Sequence, residues 1–194
     1  MIPLVAEGLP LVPMAIAGGL ALLVAIGIVL YNQLVALDVR SDNAWSDIDV
    51  QLKRRHDLIP NVVEAVKGYI GYEKGALESV VAARAQAMNA RGPQAAAAAE
   101  NGLTGALKSL FALAEAYPDL KANEQFSHLQ AQLTGIEDSI QSARRYFNAT
   151  VRELNTTVRM FPWNVLAGWG GFRAREFFEI GDAAERGVPS VKLG

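Results

Sequence analysis

Two histidines, His56 and His128, are the side chains in this 194-residue chain best suited to bind a metal or move a proton near neutral pH. Neither has a second histidine four residues away, the spacing that sets two such ligands on one helical face. Asp57 is merely adjacent to His56, and a zinc site would need three or four converging ligands. Neither histidine follows a glutamate by three residues, so the paired Glu-x-x-His pattern of a di-iron bundle is missing. The chain holds no cysteine, which removes thiolate ligands, thiol nucleophiles and disulfides. It has no Gly-x-Ser-x-Gly elbow and no Gly-x-x-x-x-Gly-Lys phosphate loop. Glu73, Glu78, Glu137 and Glu153 are spaced as solvated charges on helix faces. No catalytic residue, metal ligand, cofactor or small-molecule substrate is therefore expected, and the chain reads as no enzyme.

The formal charge is -2, with acidic and basic residues alternating rather than forming a basic stripe. That argues against nucleic acid as a partner. Lys53-Arg54-Arg55 is the densest basic run. It lies about 30 Å along a helix from the end of the apolar segment, several Debye lengths away. Structural ion pairing suits it better than lipid headgroups.

The elements that carry these residues begin with an apolar segment. From Gly8 to Leu37 there is no charged side chain. Leu9–Tyr31 would measure roughly 34 Å as a helix, enough to cross a hydrocarbon core of about 30 Å. Pro10 and Pro13 fall in the first turn, where a missing N–H costs least. A cleaved signal peptide would want basic residues before the run, and Glu7 stands there instead. Arg40, Lys53, Arg54 and Arg55 all follow the run, so the N-terminus is expected outside and the C-terminal domain in the cytoplasm. The expected location is the cell's inner membrane, or an internal membrane derived from it, crossed once. Along the segment Ala17, Ala21 and Ala25 recur every four residues, and Ala15 precedes Gly19 by the same step. Small residues at that spacing let two membrane helices approach closely, which makes them candidate self-association residues.

The rest is helical in pattern. Leu34, Leu37, Ala44, Ile48 and Leu52 share one face, and Val62 or Val63, Val66, Ile70, Leu77 and Val81 continue it. Pro60 either kinks this rod or starts a new helix capped by Asp57. Arg91-Gly92-Pro93 is a breaker. A third helix ends at Tyr117-Pro118-Asp119, and a fourth runs from an Asn123 cap to Met160 with Phe126, Leu129, Leu133, Ile136, Ile140, Ala143, Phe147, Thr150 and Leu154 inward. The fold class is all-α: one transmembrane helix, then a long antiparallel bundle of three to four coiled-coil-like helices. The expected division is 1–8 outside, 9–31 in the membrane, 32–160 as the bundle, 161–180 as an aromatic amphipathic segment and 181–194 as an extended tail. In the aromatic segment Phe161, Trp163, Trp169, Phe172, Phe177 and Phe178 are candidate contacts with the membrane interface or with another copy, or caps on the bundle end. Two chain courses differ here. A kinked rod, the favoured one, sends the fourth helix outward and leaves the aromatics far from the bilayer. A turn at Pro60 brings them back to the headgroups.

Tyr31-Asn32, Ala44-Trp45 and the run Asp49-Val50-Gln51-Leu52-Lys53-Arg54-Arg55-His56-Asp57-Leu58-Ile59-Pro60-Asn61 resemble the LemA family of bacterial membrane proteins. So do Tyr117-Pro118-Asp119-Leu120-Lys121-Ala122, Ala143-Arg144-Arg145, Asn155, Phe161-Pro162, Gly171-Phe172 and Phe177-Phe178-Glu179. Tyr72 stands where the family often has His, and Phe147 where it usually has Tyr. The resemblance implies one N-terminal anchor, a cytoplasmic helical domain, no known catalysis and, for some relatives, a link to shaping internal membrane compartments. The function expected is that of a membrane-anchored scaffold whose partners are the lipid bilayer and copies of itself. The alternative is an adaptor or regulator of another membrane protein, such as a membrane protease.

Overall fold

The computed structural model describes residues 11–69 and 74–179. Among them no strand occurs, and the elements are α1 (Leu11–Lys67), α2 (Lys74–Asn89), α3 (Pro93–Ala114), α4 (Pro118–Lys121), α5 (Glu124–Arg159) and α6 (Trp163–Gly170). At 1.5 Å per residue the 57 residues of α1 measure about 85 Å. From Val12 to Ile26 every side chain is exposed. Leu34 is the first buried residue, and from there Leu37, Ala44, Ile48 and Leu52 line one face. The helix thus changes from an apolar rod to an amphipathic one without a break.

Pro60 lies inside α1 and neither ends it nor starts another helix. Proline has no N–H, so the carbonyl four residues back, that of His56, loses its helical partner. Arg84 of α2 replaces it, with Nε donating to the His56 oxygen at 2.7 Å. Asp57 is accordingly a mid-helix residue, not a cap. The chain instead leaves the helix after Lys67, and α2 begins at Lys74. Ile70 and Tyr72 lie outside the described residues.

The break beyond Lys67 settles the chain course, and neither expected course is right in full. Arg55 pairs with Glu137 at 3.3 Å, Arg40 with Glu153 at 3.6 Å and Gln33 with Trp163 at 3.1 Å. The numbers fall on α1 as they rise on α5, so the two run antiparallel. At the far end Asn123 donates to the Tyr69 hydroxyl at 3.0 Å. The course is α1 outward, α2 back, α3 outward and α5 back. The rod is continuous through Pro60, yet the aromatic segment returns to Tyr31 and Gln33.

Burial follows the periodic positions. A distal cluster joins Ile59, Val62 and Val66 of α1, Val80 of α2, Leu103, Leu107 and Leu110 of α3, and Phe126, Leu129 and Leu133 of α5. A proximal cluster joins Ala44, Ile48 and Leu52 to Ala96, Ala97, Ile140, Phe147, Val151 and Phe178. Val80 is the buried member of its pair and Val81 is exposed. The third helix stops at Ala114, after which the single turn of α4 starts at Pro118. Asn123 caps α5 as expected, its Oδ1 accepting from the Phe126 N–H at 2.9 Å.

Candidate membrane-exit site

Between the two apolar clusters lies the one place, among the described residues, where several charged side chains are buried together. Arg55 and Glu100 are 4% and 1% exposed. Arg55 Nη1 donates to Glu100 Oε2 at 3.0 Å, Nη2 donates to the Thr104 hydroxyl at 2.7 Å, and His56 Nε2 meets Glu100 Oε1 at 2.6 Å. Glu137 closes the set from α5. Every member of this cluster is occupied by another, which fits an internal strut. Arg55 takes the structural ion pairing expected for its run. Glu137 does not stay a solvated face charge, and Glu100 hides in an alanine-rich run that gives no sign of a buried partner. His128 lies exposed on α5, one turn after Glu124, with Nε2 3.0 Å from Gln132 Nε2. Among the described residues no three His, Cys, Asp or Glu converge as a metal site.

A second constellation forms where α1 leaves its apolar stretch. After α5 the chain turns at Phe161-Pro162, a cis peptide bond, and α6 follows. The helix ends at Gly171, whose φ of 76° is left-handed and suits glycine. A Cβ on Gly170 would lie 2.8 Å from Phe172 Cε2 and 3.0 Å from Tyr31 Cε2. Glycine there lets the two rings close over the end of α6. Tyr31 meets Phe172 and Trp169 edge-on, with ring centroids 5.6 and 6.4 Å apart. Trp163 Nε1 donates to Gln33 Oε1 at 3.1 Å.

Residues 172–179 then run as an extended strap back along α1 and α5. Two asparagines of α5 grip its backbone. Asn155 accepts from the Arg175 N–H at 2.8 Å and donates to its carbonyl at 2.9 Å. Asn148 does the same for Phe178, with both bonds at 3.0 Å. On the α1 side Phe172 meets Tyr31, Arg175 meets Asp38 at 2.7 Å, and Phe178 meets Trp45 at a centroid distance of 5.8 Å. The spacing explains the fit. Seven residues of helix rise about 10.5 Å and three of extended chain about 10 Å, so Tyr31, Asp38 and Trp45 stay in step with Phe172, Arg175 and Phe178.

Arg175 also donates to Asp42. That hydrogen bond holds the Asp42 carboxyl below its ordinary range; partial burial pushes the other way and the guanidinium charge adds to the lowering. The same bond raises Arg175.

The expected single amphipathic segment is therefore two elements, a short helix and a strap, and its aromatics separate. Phe178 is 0% exposed, and Trp163, Phe172 and Phe177 are half-buried against their own chain. Phe161 and Trp169 remain outside at 79% and 84% exposure, with Val165 at 62%. Ala15, Ala17, Gly19, Ala21 and Ala25 all lie on the exposed part of α1. The strap is the element that sequence reasoning missed. Its signal was the match of 172, 175 and 178 to 31, 38 and 45, and of Asn148 to Asn155 seven residues on.

The model of the LemA family matches residues 44–193, well over half of the sequence. The chain belongs to the LemA family. It is 25% identical over 189 residues to the magnetosome protein MamQ of Magnetospirillum gryphiswaldense, an alignment covering 84% of this chain and 70% of that protein. MamQ 1 of Paramagnetospirillum magneticum is 23% identical with the same coverage. Protein LemA of Metamycoplasma hominis is 26% identical over 140 residues, covering 70% of this chain and 63% of that protein. The family assignment agrees with the one helix, among the described residues, that is long and apolar enough to cross a membrane, near the N-terminus.

Proposed function

We propose that this LemA-family chain is a non-catalytic, membrane-anchored scaffold whose copies associate and organise or shape the bilayer that α1 crosses. The observation that carries the reading is the unbroken passage of α1 from an exposed apolar rod into the core of the bundle. With no hinge at the exit, the tilt of the span becomes the tilt of the bundle, so copies that pack in lipid impose one angle on all their bundles. The small-residue face Ala17, Ala21, Ala25 is the contact through which copies meet, and Ala15 and Gly19, on nearly the opposite side of the helix, offer a second. A Cβ added at Gly18, Gly19 or Gly27 would meet nothing within 4 Å, so this face is open to a neighbour. The buried ionic cluster is fully engaged within the bundle, which supports a structural rather than a chemical role. The names of the MamQ relatives fit work at a specialised bacterial compartment. The span is crossed once, with the bundle on the cytoplasmic side as its basic flank directs.

Because the chain has no cysteine, the proposal can be tested by one substitution in native membranes. Ala21→Cys should form disulfide-linked dimers under mild oxidation, while Leu22→Cys, about 100° around the helix, should crosslink far less. Equal crosslinking at both positions, or none at either, would count against a specific span contact.

A further inference from the structure

We infer that α6 is an interfacial foot: Phe161, Val165 and Trp169 seat in the headgroup region of the same bilayer that α1 crosses, and Arg159 and Arg173 meet its anionic phosphates. The inference rests on the membrane-anchored reading and adds a second, separate contact with lipid.

Position is the first argument. A 30 Å core takes about 20 residues of helix, so a span beginning near Val12 reaches its far boundary near Tyr31. Trp169 and Phe172 pack on Tyr31 itself, and Trp163 on Gln33 half a turn further. The return of α5 thus delivers α6 to the depth where the hydrocarbon ends. Tryptophan and tyrosine favour that depth because each presents an apolar ring and a polar atom.

Exposure is the second. Phe161, in the turn before α6, and Val165 and Trp169, one helical turn apart within it, are the most exposed large apolar side chains beyond the span among the described residues. Their neighbours Trp163, Leu166 and Ala167 are half-buried or buried against the bundle. One face of α6 is already satisfied by its own chain and the other is unpartnered. That face is continuous with the exposed apolar surface of α1 through the Tyr31–Trp169 ring contact.

Charge is the third. From Thr156 to Ala174 the only charged residues are Arg159 and Arg173, one on each side of α6. Both are exposed, and neither has an ion-pair partner among the described residues. The nearest acidic residue along α1, Asp38, is held by Arg175, which also pairs with Asp42. A surface with two free guanidinium groups and no carboxylate complements anionic headgroups, each group able to hold phosphate in bidentate fashion. A groove in another protein would impose no such exclusion of acid at this one depth.

The test uses the full-length chain in vesicles of phosphatidylcholine and phosphatidylglycerol in a three-to-one ratio. Val165→Cys carries a spin label on the exposed face, and Ala149→Cys on α5 serves as the solvated reference. The expected result is a ratio of oxygen to nickel-chelate collision several-fold higher at 165 than at 149. It should fall when Arg159→Gln and Arg173→Gln are combined. Equal ratios would overturn the inference. So would a label at 165 that is immobilised and shielded from both reagents, because that describes protein contact. Alkaline extraction separates the two failures: a chain that washes off sinks the anchored reading itself, whereas an anchored chain with a wet label sinks only the foot.

Discussion

Arg55, His56 and Glu100 interrupt an otherwise apolar interior, sitting between Leu52 in one cluster and Ile59 in the other. A buried ion pair gains little over a well-packed apolar pair, but removing one partner strands the other's charge. Glu100→Ala should therefore cost about 3–5 kcal/mol in unfolding free energy, read by denaturant titration in detergent. A loss within error of zero would mean that water reaches the site. Arg84 poses a subtler case. Its hydrogen bond to the His56 carbonyl compensates for Pro60, so Arg84→Met should cost about 1–3 kcal/mol while Pro60→Ala lessens that penalty by restoring the helical donor. Additive losses in the double variant would contradict this coupling. At this scale the sequence showed Arg55 as an ion-pairing residue and Asn123 as a cap. It did not show Glu100 or Arg84, because their burial depends on which helix faces them, and periodicity in one helix carries no information about its neighbour.

The strap 172–179 is held by pairs of bonds that a helix can supply only at matched spacing. Removing one asparagine deletes two hydrogen bonds of about 1 kcal/mol each, so Asn155→Ala should loosen the strap by roughly 2 kcal/mol without unfolding the bundle. Amide hydrogen exchange at residues 172–179 would rise about thirtyfold if so. Uniform acceleration across α1 and α5 would instead place Asn155 in the core fold. Acid acts on the same element. Asp42 is held below the ordinary aspartate value, so its support for the strap is complete above about pH 3.9 and fades as pH falls below that toward its folded value. The effect should be modest because the Asp42 side chain is 64% exposed. Exchange at Arg175, taken relative to the intrinsic rate at each pH, should quicken below pH 4 in the parent and not in Asp42→Asn, which lacks the titrating group. The long helices were legible from their apolar repeats, and the favoured reading of Pro60 as lying within one rod is the one observed, whereas the short α4 and α6 were not read as helices. The stop after Lys67 falls at Gly68, a residue that weakens a helix without by itself marking its end. The strap was missed because extended chain gripped by side chains has no period of its own, and its match to α1 and α5 shows only once those helices are known to flank it.

For the whole molecule, the free apolar surface lies at one end, along α1 up to Leu30 and on the outer face of α6. The rest carries mixed charge around two small cores. In the proposed scaffold such a distribution would direct association to the membrane and its near surface rather than to the distal bundle. The span, the all-helical class and the family were legible from composition, periodicity and motif, since each is written along the chain. The course of the rods was not, since it turns on where one helix stops by a few residues. In the proposed function, copies of this chain build an ordered assembly through the membrane end. The mass and shape of the full-length protein in mild detergent, by light scattering and electron microscopy, test it most directly. The account expects a discrete particle of several copies with their bundles projecting at one common angle, and a monodisperse monomer would contradict it.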